Sequence, residues 1–116
     1  MGNITDQIWQ VDGMYHRIDG PAIIYASGTQ IWCQYGQFHR LDGPAIIFSD
    51  GTEHWYRHNK LHRLDGPAIV ELYYTDRWHI NDIDITKEVE IWLETNNITI
   101  PFTQEEQAQF ILTFAL

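Results

Sequence analysis

HRIDGP at residues 16–21, HRLDGP at 39–44 and HRLDGP at 62–67 repeat one six-residue string three times at steps of 23 residues. The same step separates Trp9, Trp32, Trp55 and Trp78, and Gly28 from Gly51. A fixed period of this size marks an array of supersecondary units, each too small to bury an apolar face alone and each completed by its neighbours. The string itself can be read in two ways. His-Arg-x-Asp packs an imidazole, a guanidinium and a carboxylate into four residues, as a chemical site would. Asp-Gly-Pro is a chain reversal followed by a residue that opens a strand where a missing N–H is tolerated.

Within a unit, Pro-Ala-Ile-Ile-Tyr/Phe (21–25 and 44–48, with Pro67-Ala68-Ile69-Val70 in the third) is rich in β-branched and aromatic residues and reads as a strand. It ends at Ser27-Gly28-Thr29 or Asp50-Gly51-Thr52, which reads as a tight turn. A second strand carries the Trp and ends at Tyr35-Gly36 or His58-Asn59, where positive φ is accepted. Each unit is thus expected to be one β-hairpin with a returning loop, the hexapeptide being the loop. Three full units with partial units at Ile8-Trp9 and Arg77-Trp78-His79 predict seven or eight antiparallel strands. At the usual strand spacing they form a sheet roughly 30–35 Å across. The fold class expected is mainly β, an elongated, twisted antiparallel meander of stacked hairpins with a short C-terminal α-helical cap. The array occupies residues 1–83 and the cap residues 84–116.

The cap is predicted from a change of period. Thr86 is a plausible N-cap for a helix that puts Val89, Trp92 and Leu93 on one face and stops at Asn96-Asn97. Thr103-Gln104-Glu105-Glu106 is a capping box, followed by Gln107, Phe110, Ile111 and Phe114 at helical spacing. Repeat arrays need their open ends covered, so this pair is expected to cap the last hairpin.

With 116 residues, 44% apolar and 20% charged, the chain is long enough to bury one core without staples. A single cysteine, Cys33, allows no internal disulfide and fits a reducing compartment. The opening MGNITDQIWQ lacks the basic and apolar regions of a secretory signal, and nowhere do eighteen apolar residues run together. The expected location is the cytoplasm. A net charge of −9 argues against direct nucleic-acid binding, which depends on neutralising phosphates. The acidity is uneven: residues 1–83 hold ten acids and six bases, residues 84–116 six acids and one base.

The 23-residue unit, with its aromatic strand, Gly or Asn turn, His and closing Gly, resembles the MORN repeat family. Trp…Gly/Asn-x-x-His-Arg-x-Asp-Gly-Pro-Ala resembles more closely a MORN-like repeat common in uncharacterised proteins of large tailed bacteriophages. The resemblance covers about residues 8–83. It implies an elongated β-meander that mediates contacts, and a phage-encoded protein acting in the host-cell cytoplasm. The chain departs from the basic surface of lipid-binding arrays, so a membrane is not an expected partner.

The chemical readings are weak. Equivalent residues of successive hairpins lie two strands apart, roughly 9–10 Å, so His16, His39 and His62 are too far apart to bind one zinc ion at ~2.0–2.1 Å. No metal or cofactor is expected. Cys33 has no counterpart in the other units, and no nucleophile elbow or phosphate loop is present, so the chain is not expected to be an enzyme. The structural account gives the repeated residues these roles. His16, His39 and His62 bond across the turn. Arg17, Arg40 and Arg63 stack on Trp or pair with Asp19, Asp42 and Asp65. Gly20, Gly43 and Gly66 permit close approach, and Trp9, Trp32, Trp55 and Trp78 anchor the core.

Function should then sit where units differ, on or after the Trp strand. Tyr35, Tyr56, Arg57 and His58 are residue types enriched at interfaces and form the candidate contact surface. Glu88, Glu90, Glu94, Glu105 and Glu106 form a candidate acidic face that could imitate nucleic acid toward a basic groove. The favoured expectation is a non-enzymatic protein-interaction module with a host or defence protein as partner, an inhibitor being its sharper variant. A virion or assembly component that self-associates through the edge around Ile8-Trp9 as a homo-oligomer is the alternative. A small-molecule-binding or sequestering protein is the third.

Overall fold

The computed structural model describes residues 5–116; residues 1–4, the start of the expected array, lie outside the described residues. The strands are two residues long and run in chain order as β1 (Gln7–Ile8), β2 (Gln10–Val11), β3 (Met14–Tyr15), β4 (Ile23–Ile24), β5 (Gln30–Ile31), β6 (Cys33–Gln34), β7 (Gln37–Phe38), β8 (Ile46–Ile47), β9 (Glu53–His54), β10 (Tyr56–Arg57), β11 (Lys60–Leu61), β12 (Ile69–Val70), β13 (His79–Ile80) and β14 (Ile83–Asp84). Two helices follow, α1 (Thr86–Thr95) and α2 (Gln104–Phe114). The molecule is mainly β and elongated, with principal extents of 54 × 31 × 22 Å.

Each unit holds two hairpins rather than the one expected, because the Trp strand breaks at its Trp. The first half stays in a six-stranded antiparallel sheet of order β1-β4-β5-β8-β9-β12. The second half leaves it and pairs with the residues just before the hexapeptide, giving the side hairpins β2–β3, β6–β7 and β10–β11, with β13–β14 as the fourth. The Trp backbone serves both layers. Its N–H donates to the alanine carbonyl of the next main-sheet strand, at 2.8, 2.7 and 2.8 Å for Trp9, Trp32 and Trp55, and its C=O accepts from the His N–H of its own side hairpin. No polar group is orphaned by the break, so it costs little. Six strands at ~4.8 Å make a sheet about 24 Å wide, narrower than expected, because the last Trp strand meets it only through the isolated bridge between Ile69 and Arg77.

The side-hairpin turns require positive φ at both central residues, the geometry that matches strand twist in two-residue loops. Asp12/Gly13, Tyr35/Gly36, His58/Asn59 and Asn81/Asp82 all have it. Where glycine is replaced, the side chain contributes a bond: Asn59 Oδ1 accepts from Phe38 N–H at 3.1 Å and Asp82 Oδ1 from Leu61 N–H at 2.7 Å.

The array interior is thin. Ala22, Ala45 and Ala68 are fully buried with Ile23, Ile46 and Cys33, whereas Trp9, Trp32 and Trp55 are half-buried. Of the repeated tryptophans only Trp78 is a core anchor, at 4% exposure, because it alone lies under the helix pair. There it joins Ile80, Val89 and Phe110, with Trp92, Phe102 and Phe114 packed round them. Ring centroids lie 5.1–6.0 Å from Phe110.

The capping box of α2 forms as expected: Thr103 Oγ1 accepts from Glu106 N–H, and Glu106 Oε1 accepts from Thr103 N–H. Thr86 is not the N-cap of α1; Ile85 holds that position without a side-chain bond. The Thr86 hydroxyl instead accepts from Trp78 N–H and donates to Asp84 Oδ1, tying the helix to the last hairpin. Among the described residues no helix is long and apolar enough to cross a membrane.

Candidate functional site

The repeated hexapeptide builds a clasp of identical form in all three units. Arg17, Arg40 and Arg63 lie flat over Trp9, Trp32 and Trp55, with Cζ 3.9, 3.9 and 3.8 Å from the ring centroids. Each Nε donates to the aspartate two residues on, at 3.2, 3.2 and 2.8 Å, and each Nη1 to the carbonyl of the proline four residues on. The guanidinium fork is thus held by a π face, a carboxylate and a carbonyl. Glycine is needed beside it: a Cβ at Gly20, Gly43 or Gly66 would stand 2.9, 2.6 or 2.7 Å from the arginine Cζ.

The histidines join one unit to the next. Nδ1 of His16, His39 and His62 accepts the backbone N–H of Tyr35, His58 and Asn81 at 3.1, 3.0 and 3.1 Å. That bond leaves the ring proton on Nε2 in the neutral form. It also occupies a nitrogen that a metal would need, and among the described residues no group of three His, Cys, Asp or Glu is placed to hold an ion. Burial lowers the pKa of His39 and His62; Arg57 lowers both further, and His58 lowers that of His39. Cys33 lies in β6, and burial pushes its thiol up to about 11, which makes it a poor nucleophile at neutral pH.

The candidate contact residues do not form one patch. Tyr35 and His58 stand at equivalent hairpin tips, with ring centroids 4.2 Å from His16 and His39 respectively, the rings tilted by 39° and 35°. Tyr56 is half-buried, 5.1 Å from the Phe38 ring, and its hydroxyl pKa is raised by burial and by Asp82. Arg57 follows it in β10 and so faces the other way, into a cavity of about 210 Å³ between the second and third hexapeptide loops. A second cavity, about 520 Å³, lies between the first and second loops.

The acidic residues are also divided. Glu90 and Glu94 are neighbours on α1 at i, i+4. Glu88 and Glu90 line a shallow hollow with Arg77 and Lys87. Glu105 is exposed on α2, and Glu106 is held in the capping box.

Two exposed apolar features escaped the sequence reading. Ile18 and Leu41, the variable residues of the first two hexapeptides, are 80% and 65% exposed, whereas the equivalent Leu64 packs against the helical cap. At the tip of the third main-sheet hairpin, Leu72, Tyr73 and Tyr74 are 71%, 90% and 75% exposed. The signal was present: Tyr74 aligns with Gly28 and Gly51, whose φ values of 99° and 92° make the tight turns of the other units. Losing glycine there means that the third turn is built differently. In comparisons with protein-family models, curated proteins and solved structures, nothing matches this chain.

Proposed function

We propose that the chain is a non-enzymatic protein-interaction module, an array of MORN-like units of the phage type that binds a host or defence protein. The observation that carries this reading is the Leu72-Tyr73-Tyr74 tip. Three large apolar side chains stand in solvent where the other units have Ala26-Ser27-Gly28 and Ser49-Asp50-Gly51, and contiguous apolar exposure of this kind is what partner surfaces supply. Nothing in the clasp needs them: none of its arginine or histidine hydrogen bonds and none of its arginine–tryptophan stacks involves Leu72, Tyr73 or Tyr74. Tyr35 and His58 add aromatic area at the side-hairpin tips.

The test is capture from a bacterial host lysate, followed by calorimetry with the purified captured protein. The wild-type chain is expected to bind it, and Tyr73→Ser/Tyr74→Ser to lose at least about tenfold in affinity, as truncation of aromatic anchors does, with an unchanged melting temperature. Equal affinity for the tip variant overturns the reading. A second reading, self-association, rests on β1, which lies at one margin of the main sheet with Ile8 half exposed. Light scattering on the same samples decides it, because a strict monomer at high concentration removes it.

A further inference from the structure

Arg57 and Trp55 share an unexplained property. Among the described residues every arginine but Arg57 is ion-paired to an aspartate. Trp55 is likewise the one tryptophan whose buried Nε1–H finds no acceptor in the protein. Both line the cavity of about 210 Å³ between the second and third loops. The Trp55 Nε1 is itself shielded from solvent, so the group in this cavity that calls for an acceptor from outside the fold is the Arg57 guanidinium, the one arginine with no carboxylate partner among the described residues.

The rest of the lining is consistent with one negative guest. His62 borders the same cavity, and because its Nδ1 accepts from Asn81 its other nitrogen carries the proton and donates. The loop carboxylates there, Asp42 and Asp65, are already matched by Arg40 and Arg63, so Arg57 leaves the cavity with one positive charge in excess. The chain's net charge of −9 opposes this only weakly, since charges beyond about 8–10 Å are largely screened in physiological salt. The cavity one repeat earlier is a natural control: it has the same loop pairs around Trp32 and His39, but Gln34 stands in place of Arg57.

We infer that the cavity between the second and third hexapeptide loops is a binding site for a single oxyanion, a carboxylate or a phosphate group, received by the Arg57 guanidinium beside the Trp55 indole. A planar guanidinium fork suits either acceptor. The site does not depend on the interaction reading above, and its test uses no protein partner.

The experiment follows the indole N–H resonances of the full-length, nitrogen-15-labelled chain, with the Trp55 signal identified from Trp55→Phe. Sodium phosphate and sodium acetate are titrated separately at ionic strength held constant with sodium chloride. The Trp55 signal is expected to move saturably, with half-saturation on the order of 1–10 mM, while the Trp32 signal stays in place. Arg57→Gln and Arg57→Met are both expected to raise the half-saturation at least about fivefold, their other indole signals reporting that the fold is kept. A response to phosphate alone, to acetate alone or to both supports the site and identifies the group it takes. A Trp55 shift no larger than sodium chloride produces, or a saturable shift that survives in both Arg57 variants, overturns it.

Discussion

The two ends of the array are built on the same 23-residue frame and finished differently. At the N-terminal end, Trp9 is half-buried under Arg17, and Ile8, Val11, Met14 and Tyr15 are exposed. At the C-terminal end the equivalent Trp78 is buried among Ile80, Val89 and Phe110, and the main-chain N–H of Trp78 bonds to the Thr86 hydroxyl. The frame alone therefore does not bury a tryptophan. In the array a polar clasp holds each indole from above, worth about 0.5–2 kcal/mol where a cation sits over a ring, and area burial is left to small residues such as Ala22, Ala45 and Ala68. Only where helices add a third layer does a hydrophobic core of ordinary thickness appear.

The strongest way to break this comparison is to cut into both ends. Phe110→Ala removes the fully buried ring at the centre of the cap and is expected to cost about 3–5 kcal/mol in urea unfolding. Trp9→Ala, which removes a half-covered indole and one cation–π contact, is expected to cost about 1–2 kcal/mol. Equal losses would mean that the N-terminal clasp buries as much as the cap, and the contrast would fail.

A smaller effect sharpens the array side. Gly43→Ala puts a methyl 2.6 Å from the Arg40 Cζ, so either the guanidinium leaves the Trp32 face or the loop shifts. About 1–3 kcal/mol of destabilisation is expected, the usual cost of overpacking, together with a change in Trp32 fluorescence. Gly28→Ala makes a useful contrast, since nothing lies within 4 Å of its Cβ position and its φ of 99° alone resists substitution. If Gly43→Ala leaves both stability and Trp32 emission unchanged, the clasp is not what holds the unit.

These particulars explain what could be read in the sequence. The period of 23 residues was visible because the clasp uses identical residues in every unit. The arginine stack, the Arg–Asp pair and the glycine that admits them follow from residue chemistry within a few positions of one another. The α2 capping box was legible for the same reason. The break at each Trp was not, since Gln30-Ile31-Trp32-Cys33-Gln34 has the composition of one continuous strand; what breaks it is that the N–H and C=O of Trp32 bond to different layers, to Ala45 and from His39. Thr86 looked like a cap because its type suits one, whereas its hydroxyl is taken by Asp84 and Trp78. The free Arg57 could be named as a variable position, but its lack of a partner depends on how the second and third loops meet around it. Tyr74 in place of a turn glycine is legible as a third turn built differently from the other two.

The smallest expected effect separates the two regions by pH. In the array, burial holds the folded-state pKa of His39, His54 and His62 below the ordinary 6.5, with Arg57 adding to the effect at His39 and His62 and Glu71 opposing it at His54. As pH falls through 6.5 the unfolded chain takes up these protons before the folded chain does, so unfolding gains protons and stability declines with falling pH. The histidine contribution is thus fully present above 6.5 and is lost on descending toward the folded values. At the junction with the cap, Asp84 moves in another window: hydrogen bonds from Thr86, then from Arg77, hold its carboxyl down at about 2, so its contribution is complete above about 4 and is lost only in stronger acid. Urea midpoints measured from pH 8 to 5 should therefore fall through the histidine window alone. His39→Gln/His62→Gln should lessen that slope, because glutamine can still accept the inter-unit N–H but does not titrate. Asp84→Asn should leave the slope between pH 8 and 5 intact while flattening the decline below pH 4. A histidine variant with the wild-type slope would show that the inter-unit imidazoles are as easily protonated folded as unfolded, and the clasp would then be open to solvent at the rings, contrary to the burial of His39.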